Sequence, residues 1–333
     1  MSNLLILCGA GAAGGYAMTY LRSAERIPTA FVDSNPARWG TEYMGIPVMS
    51  LSQAWRDYPL ARYVVTVQRH DYAMQIREQL RDRGIEPESL DSVLPAFREI
   101  PPQKVAKILS LIVDDDETYQ VLLDQYQFRK THNYEKQNFH SPVEETYFPE
   151  FLSSLSHDEV FVDVGAAAGD TLEAFLKWSK GKYRSLIAIE PDPGNFNKIP
   201  DFPRLVASQI ALSDHDGYES FLETGSWNAR LDSGGELSVQ CKRLDHLFLE
   251  NPPTFIKMDI EGSELEALWG ARNIIREHSP VLAICAYHEA SHLWDIPLLI
   301  YAINPEYHLR LRRYAEGSAE LVWYGIPESR VKP

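Results

Sequence analysis

A chain of 333 residues exceeds the usual length of one compact domain and can bury two cores. Its 32 Lys and Arg stand against 47 Asp and Glu, a net charge of −15 that repels a polyphosphate backbone and excludes nucleic acid as an expected partner. Cys8, Cys241 and Cys285 are far apart and set in or beside apolar runs, which reads as reduced intracellular thiols, and no stretch reaches the ~20 apolar residues of a membrane span, so the expectation is a soluble, cytoplasmic protein.

The first 100 residues alternate apolar runs with helical patterns, as βαβ units do. Leu4 to Leu7, Thr29 to Val32 and Tyr63 to Val67 are the expected strands. Helices are expected near Tyr16 to Ala24, Leu51 to Asp57 and Tyr72 to Arg83, the last stopped by Gly84. The apolar start has no basic flank and runs straight into glycines, as a buried strand does and a signal peptide does not. Directly after the first strand comes Gly9-Ala10-Gly11-Ala12-Ala13-Gly14, and Asp33 ends the next strand 19 positions after Gly14. In that context Gly-x-Gly-x-x-Gly signals a nucleotide whose phosphates sit on the helix N-terminus and whose ribose is held by the acid. The pattern resembles NAD-binding Rossmann domains, and also the small Rossmann-like domains attached to sugar-modifying enzymes, with which Gly45-Ile46-Pro47-Val48 has parallels. Gly9, Gly11, Gly14 and Asp33 are therefore the candidate N-terminal nucleotide site, for a nucleotide, a sugar nucleotide or NAD(P); a purely structural module is the alternative.

From Pro101-Pro102 the strand signal stops, and Val105 to Tyr126 shows apolar residues at helical spacing. We expect a helical connector over residues 101–145 between a domain at 1–100 and a domain at 146–333. Asp114 to Glu117 reads as a solvated helix end or turn, with a cation site as the alternative.

A second βαβ series follows, with strands expected at Val160 to Val164, Leu186 to Ile189, Leu205 to Ala211, Phe255 to Met258 and Val281 to Ala286. Asp214 to Leu244 lacks helical periodicity and reads as β-hairpins inserted between the third and fourth strands. The fold class is thus α/β, with two Rossmann-like doubly wound sheets.

Three pieces of the second series carry chemistry. The first is Phe161 to Thr171, a strand, a tight loop with Gly165 and Gly169, and a helix with Leu172, Phe175 and Leu176 on one face. On its own it serves a dinucleotide or no ligand equally well. The second is Glu190, an acid at the end of the next strand, 21 positions after Gly169, placed to accept both hydroxyls of a ribose; the alternative is an exposed acid. The third is Phe255 to Glu266, which delivers Asp259 and Glu261 to the carboxyl edge of the sheet, with Ser263 and Glu266 patterned as a capping box and Leu265, Leu268 and Trp269 as a buried helix face. His288 follows the fifth strand and reaches the same rim, as a structural histidine or as a general base whose rate falls when pH drops through the imidazole pKa.

With these residues in view, the second half resembles the FkbM family of methyltransferases. The resemblance spans roughly Val105 to Gly325 and rests on the order of several blocks: Val160 to Thr171, Ala188 to Phe196, Ala211-Leu212-Ser213-Asp214, Arg243-Leu244-Asp245, Ile256 to Ala271, and Leu282 to Pro297 with Tyr287-His288 and Trp294-Asp295-Ile296-Pro297. It implies a class I methyltransferase fold that uses S-adenosylmethionine, commonly on hydroxyl groups of sugars or secondary metabolites. It places Asp163, Gly165, Ala166 and Gly169 around the methionine part of the cofactor, Glu190 on the ribose, and Ala211 and Leu212 near the adenine. Asp259, Glu261 and His288 then face the acceptor, a small molecule or a glycan, as the catalytic candidates. Ala167 and Ala168 fill loop positions where many methyltransferases carry a further glycine. No complete ligand set for a metal is legible. A nicotinamide-dependent oxidoreductase built on the N-terminal fingerprint, and a non-catalytic nucleotide-binding protein, are the competing readings.

Overall fold

The computed structural model describes residues 4–23, 25–67, 70–93, 101–131, 141–152, 158–222, 230–231, 235–247, 251–315 and 319–331. The chain divides into two compact units: one of residues 1–100, 123–138 and 315–319, the other of residues 101–122, 139–314 and 320–333. The stretch expected to be a connector is thus shared between the two.

In the first unit the elements are β1 (Leu5–Cys8), α1 (Ala12–Ser23), β2 (Ala30–Val32), β3 (Glu42–Tyr43), β4 (Ile46–Met49), α2 (Leu51–Asp57), β5 (Arg62–Val65), α3 (His70–Arg81) and β6 (Glu88–Ser89). They build a six-stranded sheet in the order β3-β4-β2-β1-β5-β6, parallel except for the β3–β4 hairpin. Ile6, Cys8, Ala30, Tyr63 and Val65 pack with Ala54 and Leu80 into one core. The short pieces β3, β4 and β6 were not legible, because two-residue pairs and a strand containing Pro47 carry no alternation. Ala24, the expected end of α1, lies outside the described residues.

The second unit begins with α4 (Pro102–Leu109) and the first turns of α5 (Asp116–Thr131), two helices where the periodicity suggested one. Asp115, expected in a solvated turn, forms a two-pronged pair with buried Arg312 at 2.8 and 3.0 Å, and Glu117 adds a contact at 3.0 Å. Then come β7 (Val160–Val164), α6 (Asp170–Ser179), β8 (Ser185–Ile189), α7 (Pro193–Phe196), β9 (Leu205–Ser208), β10 (Ala211–Leu212), β11 (Gly217–Leu222), β12 (Arg230–Leu231), β13 (Leu237–Lys242), β14 (Phe255–Met258), α8 (Glu264–Gly270), α9 (Arg272–His278), β15 (Val281–Cys285), α10 (His292–Ile303), β16 (His308–Arg313) and β17 (Leu321–Ile326).

Seven strands, not five, form the main sheet, in the order β16-β17-β15-β14-β7-β8-β9. β17 runs antiparallel to both β15 and β16, a C-terminal ladder that the parallel series did not announce. The expected strand from Leu205 to Ala211 is split. Its first four residues pair with β8, whereas Ala211 and Leu212 pair with Cys241 and Lys242 in a separate four-stranded sheet, β10-β13-β11-β12. That sheet is the inserted hairpin expected between the third and fourth strands.

Alternation along the central strands sends side chains to two cores. Val162, Val164, Ile187, Ile256, Met258 and Ile284 face Leu268, Ile275 and Leu293 on one side. On the other, Phe161 stacks on Phe175 at 4.3 Å between centroids, and Phe148 and Phe255 close the aromatic cluster. The three cysteines are free and buried. Among the described residues no helix is long and apolar enough to cross a membrane.

Candidate functional site at the carboxyl edge of the central sheet

After β7 the chain adds strands outward through β8 and β9, then returns to place β14 on the other flank of β7. The order reverses between β7 and β14, the switch point where open α/β sheets bind ligands beyond their carboxyl ends. The loops after β7, β8, β14 and β15 carry Gly165, Ala166, Gly169, Glu190, Asp259, Glu261 and His288.

The donor-side loop is held tightly. Gly165 has φ +74°, and a Cβ there would stand 1.9 Å from the Asp259 carbonyl oxygen. Its freedom therefore serves the close approach of the β14 loop. Gly169 (φ +88°) caps α6, and Ala167 itself takes a left-handed φ of +45°. An alanine thus occupies the conformation that a glycine would adopt more easily. Glu190 is buried, not an exposed acid. Its Oε2 accepts the Ala167 N–H at 2.8 Å and its Oε1 the Asp192 N–H at 2.9 Å. Burial raises its pKa, against those two N–H bonds. Each carboxylate oxygen keeps a second lone pair.

Beneath this loop lies an ion pair that the sequence reading missed. Asp163, expected beside the cofactor, is fully buried and faces Lys257 at 2.9 Å; the two are register partners on β7 and β14. Lys257 Nζ also donates to the Gly165 carbonyl at 2.8 Å and sits 5.4 Å from the Tyr147 ring centroid. Burial lifts the Asp163 carboxyl to about 6, restrained by the ammonium. Burial alone would lower the Lys257 pKa, but Asp163 and Asp259 hold it above its ordinary value. One acid and one base at matching places in two apolar strands was the available signal.

On the acceptor side, Asp259 receives the Tyr147 hydroxyl on Oδ2 at 2.9 Å and the Tyr287 hydroxyl on Oδ1 at 3.2 Å. His288 stands in a relay: Nδ1 is 2.7 Å from Glu264 Oε1, and Nε2 is 3.2 Å from Asp259 Oδ1 and 3.7 Å from Glu261 Oε1. Burial would lower the imidazole pKa, but Glu264 and Glu261, with hydrogen bonds to Asp259 and Glu264, hold it well above its ordinary value. The ring, read in the sequence as structural or as a general base, is thus biased toward its cationic form. For Asp259, burial raises the pKa, and the His288 hydrogen bond, Lys257 and Tyr147 outweigh it, so the carboxyl lies well below its usual range. Glu264 is lowered to about 2 in the same way, burial opposing, His288 and His292 prevailing. Burial lifts Glu320 to about 7, with Asp259 adding to it. Asp259, Glu264 and His288 bring ligand-type atoms within 4.8 Å of one another, a spacing that suits a cation.

Tyr147, Glu264 and Glu320 complete the site without having been anticipated. Tyr147 comes from a segment before the sheet, held at φ +67° with its N–H on the Tyr324 hydroxyl at 3.0 Å. Ser263 makes no side-chain cap, so the capping box is absent; Glu264 instead turns back to accept the Ile260 N–H at 2.9 Å. Leu268 is buried but Trp269 is 49% exposed, which narrows the expected apolar face of α8. Ala211 and Leu212 are buried, in the small sheet and not at the end of the third strand.

In the first unit, Gly9 (φ +128°) and Gly14 have packing reasons: a Cβ on Gly14 would meet the Gly9 carbonyl oxygen at 2.0 Å. Gly11 faces open space. Asp33 accepts the Ala10 N–H at 3.3 Å and the Asn35 N–H at 2.8 Å, with Arg38 Nη1 at 3.4 Å.

Fold and site together define a doubly wound α/β protein with a ligand edge at its switch point. Residues 163–316 match the model of the methyltransferase FkbM domain, a match that supports a methyltransferase. The crystal structure of methyltransferase FkbM from Methylobacillus flagellatus KT is similar over 97% of this chain and 90% of its own, with TM-score 0.70 and 25% identity. Among curated proteins, no significant match is found.

Proposed function

We propose that the second unit transfers the methyl group of S-adenosylmethionine to a hydroxyl of a saccharide, glycoconjugate or secondary metabolite. The observation that carries this reading is the meeting, at one switch point, of a buried Glu190 with lone pairs to spare and an ionised, doubly hydrogen-bonded Asp259. The donor-side residues fit the cofactor: the first turn of α6, entered at Gly169, offers backbone N–H groups, and the Glu190 oxygens suit ribose hydroxyls. When bound, the sulfonium supplies an electrophilic methyl carbon and leaves as a neutral thioether.

The chain's own part is alignment and proton removal. Asp259 would take the proton of the acceptor hydroxyl, its charge held in place by Tyr147 and Tyr287. His288, cationic between Glu264 and Asp259, orients that carboxylate, and Glu261 stands where an acceptor hydroxyl can be clamped. The test is calorimetry with S-adenosylhomocysteine on the full chain, followed by single-turnover methylation of hydroxyl-bearing acceptors. Absence of S-adenosylhomocysteine binding to the folded protein refutes the donor, and transfer to an amine alone refutes the acceptor.

A second reading concerns the first unit, as a binding site for a nucleotide or NAD(P). It is favoured by Gly11, whose lack of a packing neighbour contrasts with the crowded Gly9 and Gly14. Titration with NAD and with S-adenosylhomocysteine separates this reading, and the oxidoreductase alternative, from the methyltransferase site.

A further inference from the structure

A groove of about 590 Å³ opens beside the reacting edge, between the small sheet and the start of α8. Its volume lies within the range of small-molecule sites, roughly 300 to 1,000 Å³. The β14–α8 loop that carries Asp259 and Glu261 continues straight into its wall through Ser263 and Glu266. The facing wall is the turn from β10 into β11, with Ser213, Asp214, His215 and Glu219.

The chemistry of this lining is one-sided. Three carboxylates face one imidazole, and among the described lining residues there is no lysine or arginine. His215, held by Asp214 at 2.8 Å and Glu219 at 3.3 Å, offsets part of that charge, and the lining stays net acidic. Ser213 Oγ is also directed inward, on Glu219 at 3.1 Å. Carboxylates and serine hydroxyls in an open groove recognise hydroxyl and ammonium groups by charge-assisted hydrogen bonds and disfavour phosphate, sulfate or carboxylate.

We propose that this groove is the acceptor subsite and that it selects a polyhydroxylated molecule bearing a protonated amine, an amino sugar by class. The inference rests on the methyltransferase reading above and narrows its acceptor. One hydroxyl of such a molecule lies toward Asp259 while the ammonium lies between Glu219 and Glu266.

The test is equilibrium binding to the full chain of three disaccharides of equal size: the β-1,4 dimer of glucosamine with its amines protonated, cellobiose as its neutral counterpart, and a glucuronate-containing counterpart. The expected order is amine first, neutral about tenfold weaker or more, and anionic without measurable binding. Glu219→Gln and Glu266→Gln, both at the open surface of the groove, are each expected to weaken the amine-bearing dimer about tenfold. Both are expected to weaken cellobiose less than they weaken the amine-bearing dimer, which alone loses an ion pair. No binding of the amine-bearing dimer, equal binding of the neutral or anionic one, or wild-type affinity in both variants overturns the proposal. S-adenosylhomocysteine affinity, measured in parallel, fails only if the donor assignment is wrong and so separates the two conclusions.

Discussion

Replacing Lys257 by methionine keeps the volume of the strand interior and removes the ammonium from Asp163. Both side chains are essentially sealed from water, 2% and 0% exposed, and 2.9 Å apart, so the variant leaves a carboxyl with no cation in the apolar interior. Breaking a buried pair from one side costs about 3 to 5 kcal/mol, a large share of the roughly 5 to 15 kcal/mol that holds a domain. The Gly165 carbonyl loses its ammonium donor as well. The cost also acquires a pH dependence of known sign. The Asp163 carboxyl, already lifted to about 6, rises further without the ammonium. A raised carboxyl stabilises fully below its unfolded pKa of about 3.9, and that contribution is lost as pH rises toward the folded value, at about 1.4 kcal/mol per unit. The assay is urea denaturation at pH 5 and pH 8, read by hydrogen exchange at the β7 and β14 amides so that the transition belongs to the second unit. The Asp163→Asn, Lys257→Met double variant is expected to recover at least about 2 kcal/mol at pH 8. A single-variant loss under about 1 kcal/mol, or a double variant no better than the sum, refutes the view that this pair holds the site together.

Asp259→Asn is expected to lower single-turnover methylation by about 10² to 10⁴ while S-adenosylhomocysteine affinity shifts less than about tenfold; normal rates would make Asp259 a structural residue. The His288 pKa is raised by its carboxylates, so its stabilising contribution is complete below about 6.5 and declines as pH climbs toward the folded value. Melting temperature measured from pH 6 upward should therefore fall in the wild type and flatten in His288→Gln, and turnover should show no imidazole limb near 6.5. Gly165→Ala sets a methyl group 1.9 Å from the Asp259 carbonyl oxygen and is expected to cost well beyond the ~1 to 2 kcal/mol of left-handed strain alone, as chemical denaturation will show. Glu190→Ala should weaken S-adenosylhomocysteine by about 1 to 3 kcal/mol by calorimetry, and unchanged affinity in a folded variant removes it from the site.

Residues whose position follows from one strand and its end were legible. β7, β14 and α2 begin and end where apolar runs and turn residues place them, and Gly165, Glu190, Asp259 and His288 all emerge on one edge because parallel strands deliver their ends together. What depends on a second element was not. Tyr147 reaches Asp259 from 112 positions away, and nothing local in Glu145-Thr146-Tyr147-Phe148 marks it. The break after Ser208 was hidden because Ala211 and Leu212 continue the apolar run while changing sheets. Arg312 turned an apparently solvated acidic turn into a buried anchor, a charge pairing across 197 positions. His288 was placed correctly at the rim, yet its protonation state is set by Glu264 and Glu261, whose distances no spacing reveals.

The four-stranded sheet hangs on the chain between β9 and β14, off the seven-stranded ladder. Its residues furnish one wall of the groove, while the register of β7 against β14, which sets Lys257 against Asp163 and brings Gly165 to Asp259, is made elsewhere. Length and composition of the hairpins can therefore vary without displacing the reacting groups. In the proposed acceptor subsite, editing this appendage alters one wall of the groove, whereas altering the β7–β14 register disturbs the core itself.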